Sequence, residues 1–157
     1  MIRAKVLITH RISCKKAISK CWSMNTVSFK KTGETIQIAG VADLLTGKPN
    51  LDLALEGSDS NGFTLLLAHC PDFAEQARKK PVHLQLSGHS HGGQVRLPIV
   101  GALSKPLGAK KYVMGLYEVP NSNLHVYTTR GIGTTFLPIR FLCRPEITVI
   151  TLQVQNP

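Results

Sequence analysis

A chain of 157 residues, 43% hydrophobic and 18% charged, has the make-up of one globular domain, which excludes a wholly disordered, collagen-like or coiled-coil protein. No apolar run reaches the roughly 18–20 residues that a bilayer-spanning helix needs. The formal charge of +10 suggests nucleic acid until it is located. Eight bases (Arg3, Lys5, Arg11, Lys15, Lys16, Lys20, Lys30 and Lys31) precede the first acid, Glu34; the excess is a solvated basic arm that holds anionic surfaces loosely, and no specific nucleic-acid partner is expected.

The start MIRAKVLITHRISCKK is basic, but its apolar piece is too short and too interrupted for a secretory signal. Cys14, Cys21, Cys70 and Cys143 form no C-x-x-C pair, which excludes a zinc ribbon or thioredoxin-type motif and fits a reducing compartment. A cytoplasmic location, or one peripheral to a membrane, is expected. Residues 1–33 read as an atypical basic segment and 34–157 as the folded part.

From Glu34 the pattern becomes regular. ETIQIAGVAD (34–43) alternates as a half-buried strand does, after the turn signal KTG. NLDLALEG (50–57) reads as a short helix ending at Gly57. FTLLLAH (63–69) is a continuous apolar run, as in a strand covered on both faces. Pro71–Lys80 carries proline and acids at its start and bases at its end, the marks of a helix, with Asp72 as a helix-start residue. VHLQLSG (82–88) reads as another strand and gives way to the loop His89-Ser90-His91-Gly92-Gly93. Strand, helix, strand predicts parallel neighbours with their C-terminal edges together. QVRLP, KYVMGLYEV, LHVYTTRG and ITVITLQV then read as mostly antiparallel strands.

The histidines carry the chemistry. In extended backbone His89 and His91 point to one side, Gly92 and Gly93 leave room for a substrate, and His69 ends the preceding strand. Three imidazoles on one rim make a candidate metal site. Gly131-Ile132-Gly133 reads as a tight turn rather than a dinucleotide loop. Arg130, Arg140 and Arg144 are placed either to orient a phosphate or to pair with groups such as Glu146. His83, His125 and Cys143 read as structural, and Ser90 has no His-Asp partnership to make it a nucleophile.

The segments LLLAHCPDF, LSGHSHGGQVRLP, KKYVMGLYEV and RGIGTTFLPIRFLCRPEITVITL, with IQIAGVADLLTGKPNLDLAL before them, resemble the C-terminal half of calcineurin-like metallophosphoesterases. The nearest branch includes bacterial phosphodiesterases related to UDP-2,3-diacylglucosamine hydrolases. The resemblance implies an α/β fold, half of a layered α/β/β/α sandwich with a mixed sheet and few short helices. It implies a phosphodiester hydrolase with two divalent ions, Mn, Fe or Zn, that clamp a phosphate while a metal-bound hydroxide attacks phosphorus. His69 and His89 are implied as ligands of one ion and His91 of the other, and the substrate as a lipid-linked or nucleotide-type phosphodiester.

Two departures temper this. Cys70 stands where the family has Asn, and residues 1–33 contain no Asp-x-His pair, bridging aspartate or Asn-His-Asp motif, leaving Asp43 and Asp72 as the only nearby acids. The chain is therefore expected to be a truncated C-terminal piece, weak or inactive alone, with one apolar sheet face uncovered and open to homo-association. The alternative is a non-catalytic fragment or binding module whose basic arm meets anionic lipid or nucleic acid.

Overall fold

A computed structural model describes residues 24–31 and 34–153. Most of the basic arm, with Cys14 and Cys21, lies outside the described residues. Six strands, β1 (Thr26–Lys31), β2 (Glu34–Gly40), β3 (Phe63–Leu67), β4 (Leu84–Ser87), β7 (Gly115–Glu118) and β8 (His125–Thr128), form one sheet in the order β1-β2-β3-β4-β8-β7. β5 (Arg96–Leu97) and β6 (Gly101–Ala102) make a small separate hairpin. Strands β2, β3, β4 and β8 run parallel, while β1 and β7 close the edges antiparallel. The class is the expected one: α/β, with a mixed sheet and few short helices.

Registers fix which side chains share a face. Ala39, Leu66, Gln85, Val126 and Thr128 lie on one face, and each is fully buried. Against this face pack α1 (Leu51–Ala54), a 3₁₀ turn (Pro71–Phe73) and α2 (Ala74–Ala77), through Leu51, Phe73, Ala74 and Ala77, together with Tyr112. Asn50 caps α1 by accepting the Leu53 N–H at 3.0 Å. The other face carries Val27, Phe29, Ile36, Ile38, Leu65, Leu67, Leu84, Leu86 and Leu116. Only Leu65 and Leu84 at its centre are buried, and Leu116 is 59% exposed.

Several expectations are corrected. The basic segment supplies strand β1, whose Val27 and Phe29 pair with Ile38 and Ile36, so apolar alternation outweighs the lysines. The Pro71–Lys80 helix is a 3₁₀ turn followed by a single α turn, because Asp72 serves a neighbour rather than its own helix. Its N–H donates to the Gly108 carbonyl at 2.9 Å, and its carboxylate accepts the N–H groups of Lys110, Lys111 and Tyr112 at 2.7, 3.0 and 3.2 Å. The last third is mostly antiparallel, as expected, in the β5–β6 and β7–β8 pairs, with β8 joining β4 in parallel. Of ITVITLQV, the described part forms no strand: Ile147 and Val149 are 85% and 79% exposed, and alternation without a partner strand gives no ladder.

Candidate metal centre

The parallel pair β3–β4 delivers its strand ends to one rim, and backbone bonds lock them there: the Gly88 N–H donates to the His69 carbonyl at 3.2 Å. Gln85, fully buried, donates from Nε2 to the carbonyls of Pro71 and Cys70 at 3.0 and 3.4 Å. It thereby fixes the turn that carries His69. His89 sits at φ +63 in the middle of a γ-turn closed by the Ser90 N–H on the Gly88 carbonyl, a strained conformation for a non-glycine residue.

That turn aims His89 at His69. His89 Nδ1 lies 3.2 Å from His69 Nε2, and the rings meet edge to face with centroids 4.8 Å apart. The other nitrogen, His89 Nε2, lies 2.8 Å from the Leu107 carbonyl, which only accepts. The proton is therefore assigned to Nε2 and the lone pair to Nδ1, facing His69. Two nitrogens bound to one ion at about 2.0–2.1 Å with an angle near 100° lie about 3.2 Å apart. The pair therefore fits two adjacent coordination positions of a single divalent ion.

His91 is placed differently. Both His89 and His91 have left-handed φ, +63 and +49, so the extended-backbone argument for a shared side does not apply. His91 Nδ1 lies 3.1 Å from the Gly133 carbonyl, to which it donates its proton, so the ring's lone pair lies on Nε2. Nor do the two glycines hold space for a substrate. A Cβ on Gly92 would come within 2.6 Å of Cys143 Sγ, and one on Gly93 within 2.4 Å of the Ala102 Cβ. These positions are glycine because protein fills the space beside them. Ser90 is buried and accepts the Gly92 N–H at 3.0 Å, a local cap and not a nucleophile.

Burial, reinforced by His89, holds the His69 imidazole below its usual pKa, while Asp43 pulls the other way. It is neutral at pH 7 and ready to donate a lone pair. Burial and the neighbouring Asp43 push the Cys70 thiol up to about 11, so it stays protonated, with Sγ 3.6 Å from Asp43 Oδ2. Burial raises the Asp43 carboxyl, but the N–H groups of Thr46 and Leu45 outweigh it and keep the group ionised. Asp43, Leu45, Leu67, His69, Leu86 and His89 line a cleft of 690 Å³ at the rim. Among the described residues, no three His, Cys, Asp or Glu side chains come together as a metal-holding set.

Two of the three candidate arginines are committed elsewhere, and Arg144 is exposed. Arg130 forms an ion pair with Glu146, and Arg140 donates to the carbonyls of His91, Arg130 and Gly133, among others. His83 accepts the Thr64 N–H at 3.1 Å, and His125 lies 4.0 Å from Glu118. The site's supporting groups, Gln85 and the carbonyls of Leu107 and Gly133, were not foreseen. A backbone carbonyl leaves no trace in a sequence, and only the Gln85 amide inside an apolar strand was a signal.

Over 124 residues, 79% of this chain, the sequence is 44% identical to the uncharacterized metallophosphoesterase YkuE of Bacillus subtilis, of which it covers 43%. Over 139 residues it is 38% identical to the phosphodiesterase YaeI of Escherichia coli, covering 76% of this chain and 50% of that one. Over most of its length the chain is thus similar to proteins named metallophosphoesterase or phosphodiesterase. A transmembrane protein with metallophosphoesterase domain from Danio rerio is 36% identical over 79% of this chain and 29% of its own. The chain spans half the length or less of these curated proteins. No family model and no solved structure matches it. No helix among the described residues is long and apolar enough to cross a membrane.

Proposed function

We propose that residues 34–157 form part of a metal-dependent phosphoester hydrolase in which His69 and His89 hold one divalent ion and His91 a second, the remaining donors coming from outside the described residues. The observation that carries this reading is the 3.2 Å approach of His69 Nε2 to His89 Nδ1 on a rim that opens into the cleft. His69, His89 and His91 would be the residues holding such ions, which when bound would supply Lewis-acid polarisation of a phosphoryl oxygen and activation of water near neutral pH. The chain's own part is positional: the Leu107 carbonyl orients His89, burial keeps His69 neutral, and ionised Asp43 places negative charge beside the pair.

The substrate we infer is a phosphodiester of lipid-linked or nucleotide type, as in the UDP-2,3-diacylglucosamine branch. Homo-association through the apolar sheet face is part of the same reading. The incomplete donor set among the described residues favours a second reading, a non-catalytic module whose residues 1–33 bind anionic surfaces. Metal content and hydrolysis of an activated phosphodiester, measured on the chain and on His89→Ala and His91→Ala, separate the two. The hydrolase reading expects both variants to lose metal and rate. Equal metal content and equal background rates in all three would remove it.

A further inference from the structure

Arg140 carries a charge that no acid answers among the described residues. Its guanidinium meets backbone carbonyls instead. Nη1 donates to those of His91 and Cys143, each at 3.2 Å, and Nη2 to those of Arg130, Gly131 and Gly133 at 2.8, 3.3 and 2.5 Å. Glu146, the acid of this region, is taken by Arg130. Nε is buried and meets no acceptor among the described residues. A half-buried guanidinium without a counter-charge, and with one donor unspent, is a poor source of stability. What it supplies is shape, because a planar fork of donors holds several carbonyls in fixed directions.

Two of those carbonyls govern one histidine. The first is the carbonyl of His91 itself, which also accepts from Cys143 Sγ at 3.4 Å. The second, on Gly133, accepts His91 Nδ1 at 3.1 Å as well as Arg140; a carbonyl oxygen has two lone pairs and takes both donors. A single guanidinium thus holds the main chain of His91 and the partner of its ring. It also folds the turn that carries this partner. The carbonyls of Arg130, Gly131 and Gly133 all point at Nη2, Gly131 is left-handed at φ +62, and a Cβ on Gly133 would stand 3.7 Å from His91 Cε1. Without the cation between them, these three dipoles repel one another and the turn loses its reason to close.

We infer that Arg140 is a positioning residue: its fork holds the Gly133 carbonyl where His91 keeps its proton on Nδ1, so that the Nε2 lone pair is the one offered to a cation. His89 is held in the opposite sense, with its proton on Nε2, by the Leu107 carbonyl. The two tautomers are therefore set by separate loops, and only that of His91 depends on Arg140. The placement of the proton stands on these hydrogen bonds alone, whereas the use of Nε2 as a metal donor rests on the hydrolase reading above.

Long-range nitrogen–proton NMR of the full chain at pH 8, without added metal, reads each tautomer directly, with signals assigned from His89→Gln and His91→Gln. Wild type is expected to show Nδ1–H at His91 and Nε2–H at His89; Nε2–H at His91 would overturn the inference before any Arg140 variant is made. Arg140→Met removes the fork, and the freed His91 ring is expected to move its proton mainly to Nε2, as in free histidine, while His89 stays unchanged. Arg140→Lys keeps the charge but does not span the carbonyls, so it should behave like Arg140→Met. A lysine variant with the wild-type tautomer would sink the role of the fork. Leu66→Ala, destabilised through the core, should leave His91 as it is; an equal shift there would mean that Arg140 acts only through overall stability, and the inference falls. Titration with zinc, followed at the same His91 signals, separates the two readings. Arg140→Met is expected to bind the ion about tenfold more weakly at His91. No response to zinc at His91 in wild type, with its tautomer as expected, would remove His91 from the metal set and still leave Arg140 as the residue that positions it.

Discussion

The two faces of the main sheet are made from the same strands and behave as different materials. The helix-covered face mixes Ala39, Leu66 and Val126 with buried Gln37, Thr64, Gln85 and Thr128. Its polar members are used as ties: Gln37 exchanges two hydrogen bonds with the Asp59 backbone at 2.6 Å, Gln85 grips the Cys70–Pro71 turn, and Thr128 donates to the Tyr112 carbonyl at 2.9 Å. The opposite face is mostly aliphatic and aromatic, with His125 and Glu118 as polar members on β8 and β7, and most of it is half-buried. Its described polar cover is local, where Tyr127 meets Glu146 and Thr148. Buried amides dictate what packs against a face, because an unpaired one is expensive. A face that is mostly apolar, with no buried amide at its centre, accepts a wider range of apolar partners. One side of this sheet is thus specified, and the other is available.

The sharpest way to break this contrast is by cavity formation. Leu66→Ala, on the specified face, is expected to cost about 2–5 kcal/mol, whereas Leu67→Ala on the half-buried face should cost well under about 2 kcal/mol. Urea denaturation reads both, and equal losses would show that the second face is as well packed as the first. Asp72→Asn comes next, since three backbone N–H groups of the loop over the helix-covered face lose a charged acceptor. A loss of about 1–3 kcal/mol is expected, and a neutral result would mean that Tyr112 packing alone holds that loop.

Acid sharpens the comparison from the other side. Burial pushes Glu146 up, but the N–H and guanidinium of Arg130 outweigh it, so the carboxyl lies below its usual range. Its contribution is present above the unfolded value of about 4.3 and is lost as pH falls through the lower folded value. Glu75, lowered mainly by the Tyr112 hydroxyl and Lys111, acts in the same window on the helix-covered side. Denaturation from pH 7 down to pH 3 should show a falling stability that Glu146→Gln makes shallower. An unchanged slope would mean that the Arg130 pair contributes nothing to folding. The smallest effect on stability belongs to Leu116→Lys, on the exposed edge of the apolar face, expected within about 0.5 kcal/mol of wild type. It should nevertheless lower any self-association seen by light scattering; unchanged association would place the contact elsewhere.

Much of the fold was legible because buried strands write their periodicity plainly. FTLLLAH and VHLQLSG announced the parallel pair, and the histidines after them marked the rim where His69 and His89 meet. The failures have physical causes. β1 was hidden by its lysines, whose charge masks a sound alternation of Val27 and Phe29. The segment at Ile147 had alternation but no described strand beside it, and periodicity states only that a strand is able to form. Asp72 has the composition of a helix start, and its three partners lie almost forty positions away in loop backbone, where no local pattern reports them. His89 and His91 are left-handed rather than extended, so they do not share a side as alternate residues of a strand do, and the sequence signals that conformation only at Gly92 and Gly93.

The mixed strand order also bears on how fast the chain folds. The β1–β2 and β7–β8 pairs are sequence-adjacent hairpins, whereas the central pairings join Ile36 to Phe63 and Leu84 to His125. Distant closures of this kind lose chain entropy before they gain contacts. The two edges can therefore assemble early, while joining β4 to β8 sets the pace. For as long as that step lasts, the apolar strand edges of the centre stand open, which makes dilution and low temperature the natural conditions for refolding this molecule.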